Sequence, residues 1–600
     1  MTLSITPAEK YNDYINNYKF CCDNEKKKLN RISWLRLAAF LILCLSVYSF
    51  IKTSSQMFTI FLSFITFIYL IILYGRIKKK IAYYSRLVEI NVQSLKRGND
   101  EWHSFPDDGS EFINFEHRFA HDLDIAGKGS VFQWINTTNT PLGRLRLKET
   151  LFEPEKDVEI IQKRQKAVIE LSSKIEWRQK IQAMGFVKGK KFNEPSEFLE
   201  WIEDDVKIIR SKVFHSTIRV LPIITISLFI IPFIISSLPK SLFLISLCVQ
   251  LIVILIYNKS IRRIFKLTDK YKEDIKSYFN IIKTIEEEKC DSEYLNDLVK
   301  PFFQLKKNAS EMIKKLDIIS DYMNLRFSSF HFIINMISLW DFHCLLAIEN
   351  WKDSAGKKIK QWLEIVAEIE SVSSLAIILH DNPEWAMPEF FEDRNKLIAE
   401  NAGHPLISKV ERVNNDIELK GAGNIHIITG SNMSGKSTLL RTTGVNLILA
   451  YAGAPVCASF MKCSVMDVFT SMRISDNLEK NISSFYAELV RVRMILEDSE
   501  KDNPMLFLLD EIFRGTNSRE RKIGAMAVLK LLSKRGTTGM VATHDLELAE
   551  LSSIDASKFE NFFFRENYKD NKIQFDYIMR KGISDTMNAV YLMKMVGIDV

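Results

Sequence analysis

The sequence predicts a chain in two parts: an all-α region with two hairpins of membrane-length helices, then an α/β domain from about residue 394. Three observations predict this division. Four uncharged apolar runs fall into two close pairs. Apolar residues recur at three- and four-residue spacing through Tyr278–Ile285, Met312–Met323 and Trp362–Ile378, almost without glycine, which is the pattern of amphipathic helices. Pro383 and Pro388 then interrupt that pattern, and beyond Arg394 short apolar strands alternate with helices.

The first 30 residues form a polar N-terminal segment, and residues 31–80 form the first hairpin. Its runs are Leu37–Ile51 and Thr53–Gly75, the second becoming apolar at Met57, with Lys52–Gln56 as the loop. Residues 81–200 carry helical patterning, broken only by a polar stretch around Arg97–Gly109. Residues 201–265 hold the second hairpin, Val220–Leu238 and Ser241–Tyr257, joined by Pro239–Lys240. Residues 266–393 read as the second half of the helical region, and 394–600 as the α/β domain.

A membrane helix needs about 20 apolar residues. Each Leu, Ile, Phe or Val favours insertion by about 0.3–0.6 kcal/mol, against roughly 2.5–3.5 kcal/mol for a charge. The third run carries no charge, so insertion wins despite two prolines. Helices buried in a soluble core keep one polar stripe, and these runs keep none. Basic residues flank both hairpins on their outer sides: Lys26–Lys28, Arg31 and Arg36; Arg76 and Lys78–Lys80; Lys207, Arg210, Lys212 and Arg219; Lys259, Arg262, Arg263 and Lys266. The positive-inside rule places all four flanks in the cytoplasm. The expectation is a multi-pass protein of the cytoplasmic (inner) membrane with four transmembrane helices, and with its soluble parts and both termini in the cytoplasm. The flanks suit anionic lipid better than DNA.

Composition agrees with a folded chain. At 47% hydrophobic and 26% charged, the 600 residues exclude whole-chain disorder, a collagen-like repeat and a small disulfide scaffold. A mean hydropathy of −0.03 excludes a protein that is membrane throughout. The net charge of +7 permits an anionic partner without demanding one. Eight cysteines form no CxxC pair and no zinc-like cluster, so reduced thiols in the cytoplasm are expected. The first apolar run starts too far along the chain for a signal peptide.

The chemistry concentrates in the last third. Ile425–Thr429 is a short apolar strand, followed by Gly430-Ser431-Asn432-Met433-Ser434-Gly435-Lys436-Ser437 and a helical pattern from Thr438. This GxxxxGKS layout lets backbone N–H groups and a helix N-terminus face phosphate oxygens. Lys436 would reach the β- and γ-phosphates and the Ser437 hydroxyl would ligate Mg²⁺. A second strand, Pro504–Leu509, ends in Asp510-Glu511. Asp510 would hold Mg²⁺, and Glu511 would orient or deprotonate the attacking water. A third strand, Gly539–Thr543, ends in His544, placed to sense the γ-phosphate.

These residues resemble the MutS family of DNA mismatch-repair ATPases, akin to ABC-type ATPases. Thr429–Thr438 (TGSNMSGKST) is very like the family's phosphate loop, with Asn432 and Met433 at its distinguishing positions. Leu509–Asn517 (LDEIFRGTN) and Ala542–Leu548 (ATHDLEL) resemble its Walker B segment and its His switch. Phe469–Leu489 resembles the segment that crosses the dimer, which implies that Ser483 and Ser484 meet the partner's γ-phosphate. Asn401–Pro405 and Phe575–Gly597 resemble the family's opening and closing segments of the domain. Weaker likeness makes Asp122–Leu171 the start of the helical core and residues 266–390 the returning lever helices. The implied fold is a P-loop NTPase of the ABC/MutS type behind an all-α core and lever. The implied ligands are ATP and Mg²⁺, held by Gly430–Thr438 and Asp510, in a homodimer that acts on DNA.

Two departures stand out. The family's mismatch wedge is Phe-x-Glu on an N-terminal domain. Here Phe198-Leu199-Glu200 and Phe390-Phe391-Glu392 match the bare pattern, both in expected helical core, so neither is read as a wedge. The second hairpin falls where the family inserts its DNA clamp. The favoured reading is a membrane-anchored MutS-like ATPase coupled to DNA in a repair- or recombination-like transaction. Its rival is a membrane-tethered switch acting on a protein partner, or on DNA without mismatch readout. An ABC-type transporter fits less well, because no intramembrane charge marks a path.

Overall fold

The computed structural model describes residues 6–53, 57–185, 192–204, 212–235, 239, 241–431, 433–473, 484–514, 517–569 and 572–583. They form two compact units.

The first unit comprises Met1–Leu95, Thr138–Leu145 and Lys174–Glu370, and among its described residues it is helical. Helix α1 (Pro7–Thr53) and α2 (Met57–Gly98) are continuous through the apolar runs and their polar extensions. Short helices follow in chain order: α3 (Val131–Ile135), α4 (Pro141–Phe152), α5 (Val158–Ser173), α6 (Ile175–Met184) and α7 (Ser196–Glu203), of which α3 and α5 belong to the second unit and α4 contributes residues to both. The second hairpin is α8 (Lys212–Ile234) and α9 (Ser241–Glu286). Then come α10 (Glu293–Val299), α11 (Ala309–Met323), α12 (His331–Ser338), α13 (Trp340–Trp351) and α14 (Lys357–Asp381), the last contributing residues to both units.

Among the described residues, three helices are long and apolar enough to cross a membrane, or four if Ser241–Tyr257 and Ile261–Glu286, bent by 65°, count as one span. The most apolar 18-residue stretches of α1, α2 and α8 are only 11, 11 and 17% buried. The fold therefore leaves these surfaces uncovered, unlike core helices. Within each hairpin the helices do pack. Ile32, Ala39, Leu70 and Ile77 form a small core between α1 and α2. In the second hairpin the Thr225 and Ser246 hydroxyls meet at 2.6 Å, and the Gln250 amide donates to Thr225 Oγ1 at 2.5 Å. Such interhelical polar contacts are the usual glue where no hydrophobic effect drives association.

The second unit comprises Lys96–Thr137, Arg146–Ser173 and Ser371–Val600. Its main sheet contains β4 (Ile425–Thr429), β6 (Asp467–Ser471), β7 (Met505–Asp510), β8 (Thr538–Thr543), β9 (Phe559–Lys569) and β10 (Lys572–Lys581). The strand order is β10-β9-β4-β8-β7-β6, parallel except for β10 against β9. Strands β4, β6 and β8 are buried along their whole length and β7 up to its last residue, as expected of a sheet covered on both faces. A second sheet, ordered β1-β5-β2-β3, uses β1 (Glu389–Phe390), β2 (Lys396–Ala402), β3 (Asn415–Lys420) and β5 (Phe460–Cys463). Helices α15 (Lys436–Tyr451), α16 (Ser484–Asp498), α17 (Ser518–Lys534) and α18 (Leu551–Ile554) complete the unit.

Two sequence expectations need correction. Phe390 lies in strand β1, paired with β5, and not in a helical core. Most of Asp122–Leu171 folds with the α/β domain. The reason is a set of polar contacts invisible in local patterning. Asp122 accepts from Thr470 Oγ1 at 2.7 Å and from the backbone N–H groups of Met472 and Arg473 at 3.1 Å each. Arg118 and Lys156 both pair with Asp467, at 2.6 and 2.8 Å.

Candidate active site

The expected site residues converge because their strands are neighbours. Parallel β8 lies between β4 and β7, with Thr429 opposite Thr543 and Asp510 opposite Ala542. The phosphate loop, Asp510-Glu511 and His544 thus all emerge at the carboxyl ends of adjacent strands, where ligands of open α/β sheets bind.

The loop is shaped by its glycines. Gly430 has φ +148°, and a Cβ there would stand 2.9 Å from Ser434 Oγ. Gly435 has φ +106°, and a Cβ would press on the Tyr577 ring at 3.2 Å. Met433 is left-handed at φ 69° and its side chain is exposed. Lys436 opens α15 and is buried; its ammonium donates to the carbonyl oxygens of Gly430 at 2.8 Å and Ser431 at 2.6 Å. Burial pushes this ammonium down to about 8, against the pull of the Asp510 and Glu511 carboxylates.

Ser437 Oγ donates to Asp510 Oδ2 at 2.6 Å. Burial raises the Asp510 carboxyl above its ordinary value, with the Ser437 bond opposing. Glu511 is held from both sides: His544 Nε2 lies 2.7 Å from Oε1, and Arg514 Nε lies 2.6 Å from Oε2. The His544 hydrogen bond, the largest influence, keeps Glu511 below the usual carboxylate range. Glu511 is itself left-handed, φ 50°, and its N–H donates to the Ala542 carbonyl at 2.8 Å, tying the turn to β8.

A cavity of about 680 Å³ joins these groups. Met433 through Thr438, Glu511 and Arg514 line one part; Ile407, Val413, Asn415 and Tyr577 line another. The lining therefore mixes charged and polar groups with apolar and aromatic ones, a combination suited to a phosphorylated ligand. Among the described residues, two buried polar atoms at the site lack a hydrogen-bond partner: Ser434 Oγ, in the cavity lining, and Oδ1 of Asp510, which is bonded to the lining residue Ser437. A free serine oxygen in a phosphate loop and a free carboxylate oxygen beside a serine hydroxyl fit a phosphate chain and a hard divalent cation.

Asn432 and Ser483 lie outside the described residues, and Ser484 is described only as the first residue of α16. One residue was not anticipated from sequence. Glu488, buried on α16, accepts from the backbone N–H of Phe513, which is left-handed at φ 63°. It thereby holds the turn that carries Glu511. A signal existed: Glu488, Val492 and Ile495 share one buried helical stripe, and an acid on that stripe calls for a partner.

Comparison with known proteins decides the type of domain. Residues 426–599 match the family described as MutS domain V. This stretch is similar to a MutS-type ATPase domain. The chain is 31% identical over 238 residues to the DNA mismatch repair protein MutS of Aquifex pyrophilus, covering 39% of this chain and 27% of that protein. It is 31% identical over 267 residues to the protein of the same name from Clostridium perfringens, covering 43% and 29%. The Thermotoga maritima protein is 31% identical over 241 residues, covering 39% and 30%. The match thus spans under a third of these relatives' length.

Proposed function

We propose that the chain is a membrane-anchored ATPase of the MutS type, which binds Mg²⁺-ATP at Gly430–Thr438 and couples its turnover to DNA. The observation that carries this reading is the cavity lined by Lys436, Ser437 and Glu511, with Asp510 bonded to Ser437 and His544 to Glu511. Ser437 and Asp510 would hold the cation, Asp510 through its unpaired Oδ1 and the cation's water shell. A Mg²⁺ ion held by Ser437 and Asp510 would supply positive charge against the negative charge that develops during phosphoryl transfer. Lys436 exchanges the Gly430 and Ser431 carbonyls for phosphate oxygens, regaining charge stabilisation that burial removes. Glu511, ionised at neutral pH, has lone pairs left on both oxygens to take a proton from the attacking water. His544 and Arg514 fix its orientation, and Glu488 fixes its backbone.

Ser483 and Ser484 of a second copy complete the site in this reading, so ATP favours a homodimer. The uncovered apolar faces of α1, α2 and α8 support membrane anchoring, with the basic flanks on the cytoplasmic side. DNA as the partner rests on the relatives, whose names specify mismatch repair. A second reading, DNA or a protein partner engaged without mismatch readout, is favoured by the placement of Phe198 and Phe390. Phe198 is buried on α7 against Tyr271, and Phe390 sits in strand β1, so neither is presented to a base stack.

The test is ATP turnover by the full-length protein together with binding to matched, mismatched, branched and single-stranded DNA, with and without ATP at stated salt. ATP-dependent DNA binding supports the proposal. DNA binding absent under every condition removes the DNA half. A tenfold preference for mismatched duplex, about 1.4 kcal/mol, rejects the second reading.

A further inference from the structure

Helix α12 and the turn before it are built inside out. Its polar residues at helical spacing, His331 and Asn335, point into the fold: His331 Nε2 lies 2.8 Å from Asp341 Oδ1, and Asn335 Nδ2 donates to Asp341 Oδ2 at 3.3 Å. Asp341 returns a backbone N–H to Asn335 Oδ1 at 3.0 Å and is buried. The apolar residues point the other way. Phe327, Phe330, Phe332 and Ile333 are 78, 68, 65 and 56% exposed. No Asp, Glu, Lys or Arg occurs from Phe327 to Trp340. An amphipathic helix normally buries its apolar stripe, so this orientation needs an apolar medium outside.

The position identifies the medium. Helix α12 packs against α8 and α9, at the foot of the second hairpin. Just after it, Phe342 lies 5.9 Å from both Phe214, at the start of α8, and Tyr257, where the apolar run of α9 ends. Just before it, the Arg326 guanidinium sits 5.1 Å over the Phe265 ring. The exposed face of α12 therefore borders the level at which both spans leave their apolar runs. Tyr322 and Trp340 flank it as a ring pair 6.0 Å apart, the Trp340 indole donating to the Tyr322 carbonyl at 3.1 Å. Tyr and Trp are enriched at that depth of a bilayer.

We infer that α12, with Phe327 and Phe330, is a third membrane-contacting element, lying in the plane of the lipid headgroup–acyl boundary beside the second hairpin. It would keep the surrounding helical unit pressed against the membrane surface beside the second hairpin. The inference rests on the reading of α8 and α9 as membrane spans.

The test uses full-length protein in phosphatidylcholine–phosphatidylglycerol vesicles, with an environment-sensitive fluorescent amino acid replacing Phe330 or Ile333, and Phe327 in a third variant. All three side chains point away from the fold, so replacement leaves the packing intact. Controls replace Leu244, exposed on α9, and Val410, exposed in the second unit. The expected result is blue-shifted emission at 330, 333 and 327 that is lost with lipids brominated near the glycerol end. Leu244 should lose emission with deeply brominated lipid, and Val410 with neither. Unquenched probes at 330, 333 and 327 beside a quenched Leu244 overturn the α12 inference alone. An unquenched Leu244 overturns the membrane reading beneath it. A blue shift without quenching that grows with protein density identifies a second copy as the cover and also overturns it.

Discussion

Replacing Glu488 tests whether the hydrolytic turn is held from α16. The turn is costly: Glu511 and Phe513 are both left-handed, at φ 50° and 63°. Such conformations cost about 1–3 kcal/mol each in non-glycine residues and persist only when the surroundings impose them. Glu488 supplies that imposition through its carboxylate on the Phe513 N–H. Glu488→Ala leaves this buried donor unpaired, a penalty of about 1–3 kcal/mol, comparable to the strain being held. At about 1.4 kcal/mol per decade of rate, turnover should fall roughly ten- to hundredfold as Glu511 drifts. Glu488→Gln keeps an oxygen acceptor but loses the charge, a difference of about 1 kcal/mol, so roughly a fivefold loss is expected. Nucleotide affinity should stay unchanged in both, because Lys436 and Ser437 do not touch Glu488. The assay is steady-state ATP turnover in parallel with nucleotide binding and a melting curve. A Glu488→Ala protein with wild-type turnover would refute the reasoning. So would affinity and turnover falling together, which would indicate general damage.

Two further outcomes follow from the same site. Lys436→Ala removes the ammonium that faces the phosphates; with charged hydrogen bonds worth about 1.5–3 kcal/mol each, nucleotide affinity should drop at least about a hundredfold, and titration calorimetry showing wild-type affinity would reject the site. The depressed Lys436 ammonium, near 8, predicts a pH dependence of binding. Phosphate raises its pKa in the complex, so above about 8 the bound form holds more protons than the free form. Affinity should be flat from pH 7 to 8 and fall by up to tenfold per unit above it; a flat profile to pH 9.5 would contradict the burial of this lysine.

Local motifs made part of this molecule readable from sequence, and distance in the chain concealed the rest. Ile425–Thr429, the glycines of the loop and the Asp510-Glu511 strand end are local: each residue's role is set by its immediate neighbours, and each lies where the pattern placed it. The four apolar runs were legible because lack of charge is a property of composition. Helix α1, by contrast, runs unbroken from Pro7 to Thr53, and no capping residue marks the passage from its polar to its apolar part. Glu488 and Asp122 act on turns 25 and about 350 residues away, through contacts that no periodicity encodes. The assignment of most of Asp122–Leu171 to the α/β unit failed in sequence for the same reason: its helices look like any others until Asp467 pairs with Arg118 and Lys156.

The most direct test of the central claim is a single-turnover measurement on full-length Glu511→Gln protein with labelled ATP and Mg²⁺. The account predicts that ATP is bound and retained while release of phosphate is all but abolished. Phosphate release at the wild-type rate, or a protein that fails to retain ATP at all, would contradict it.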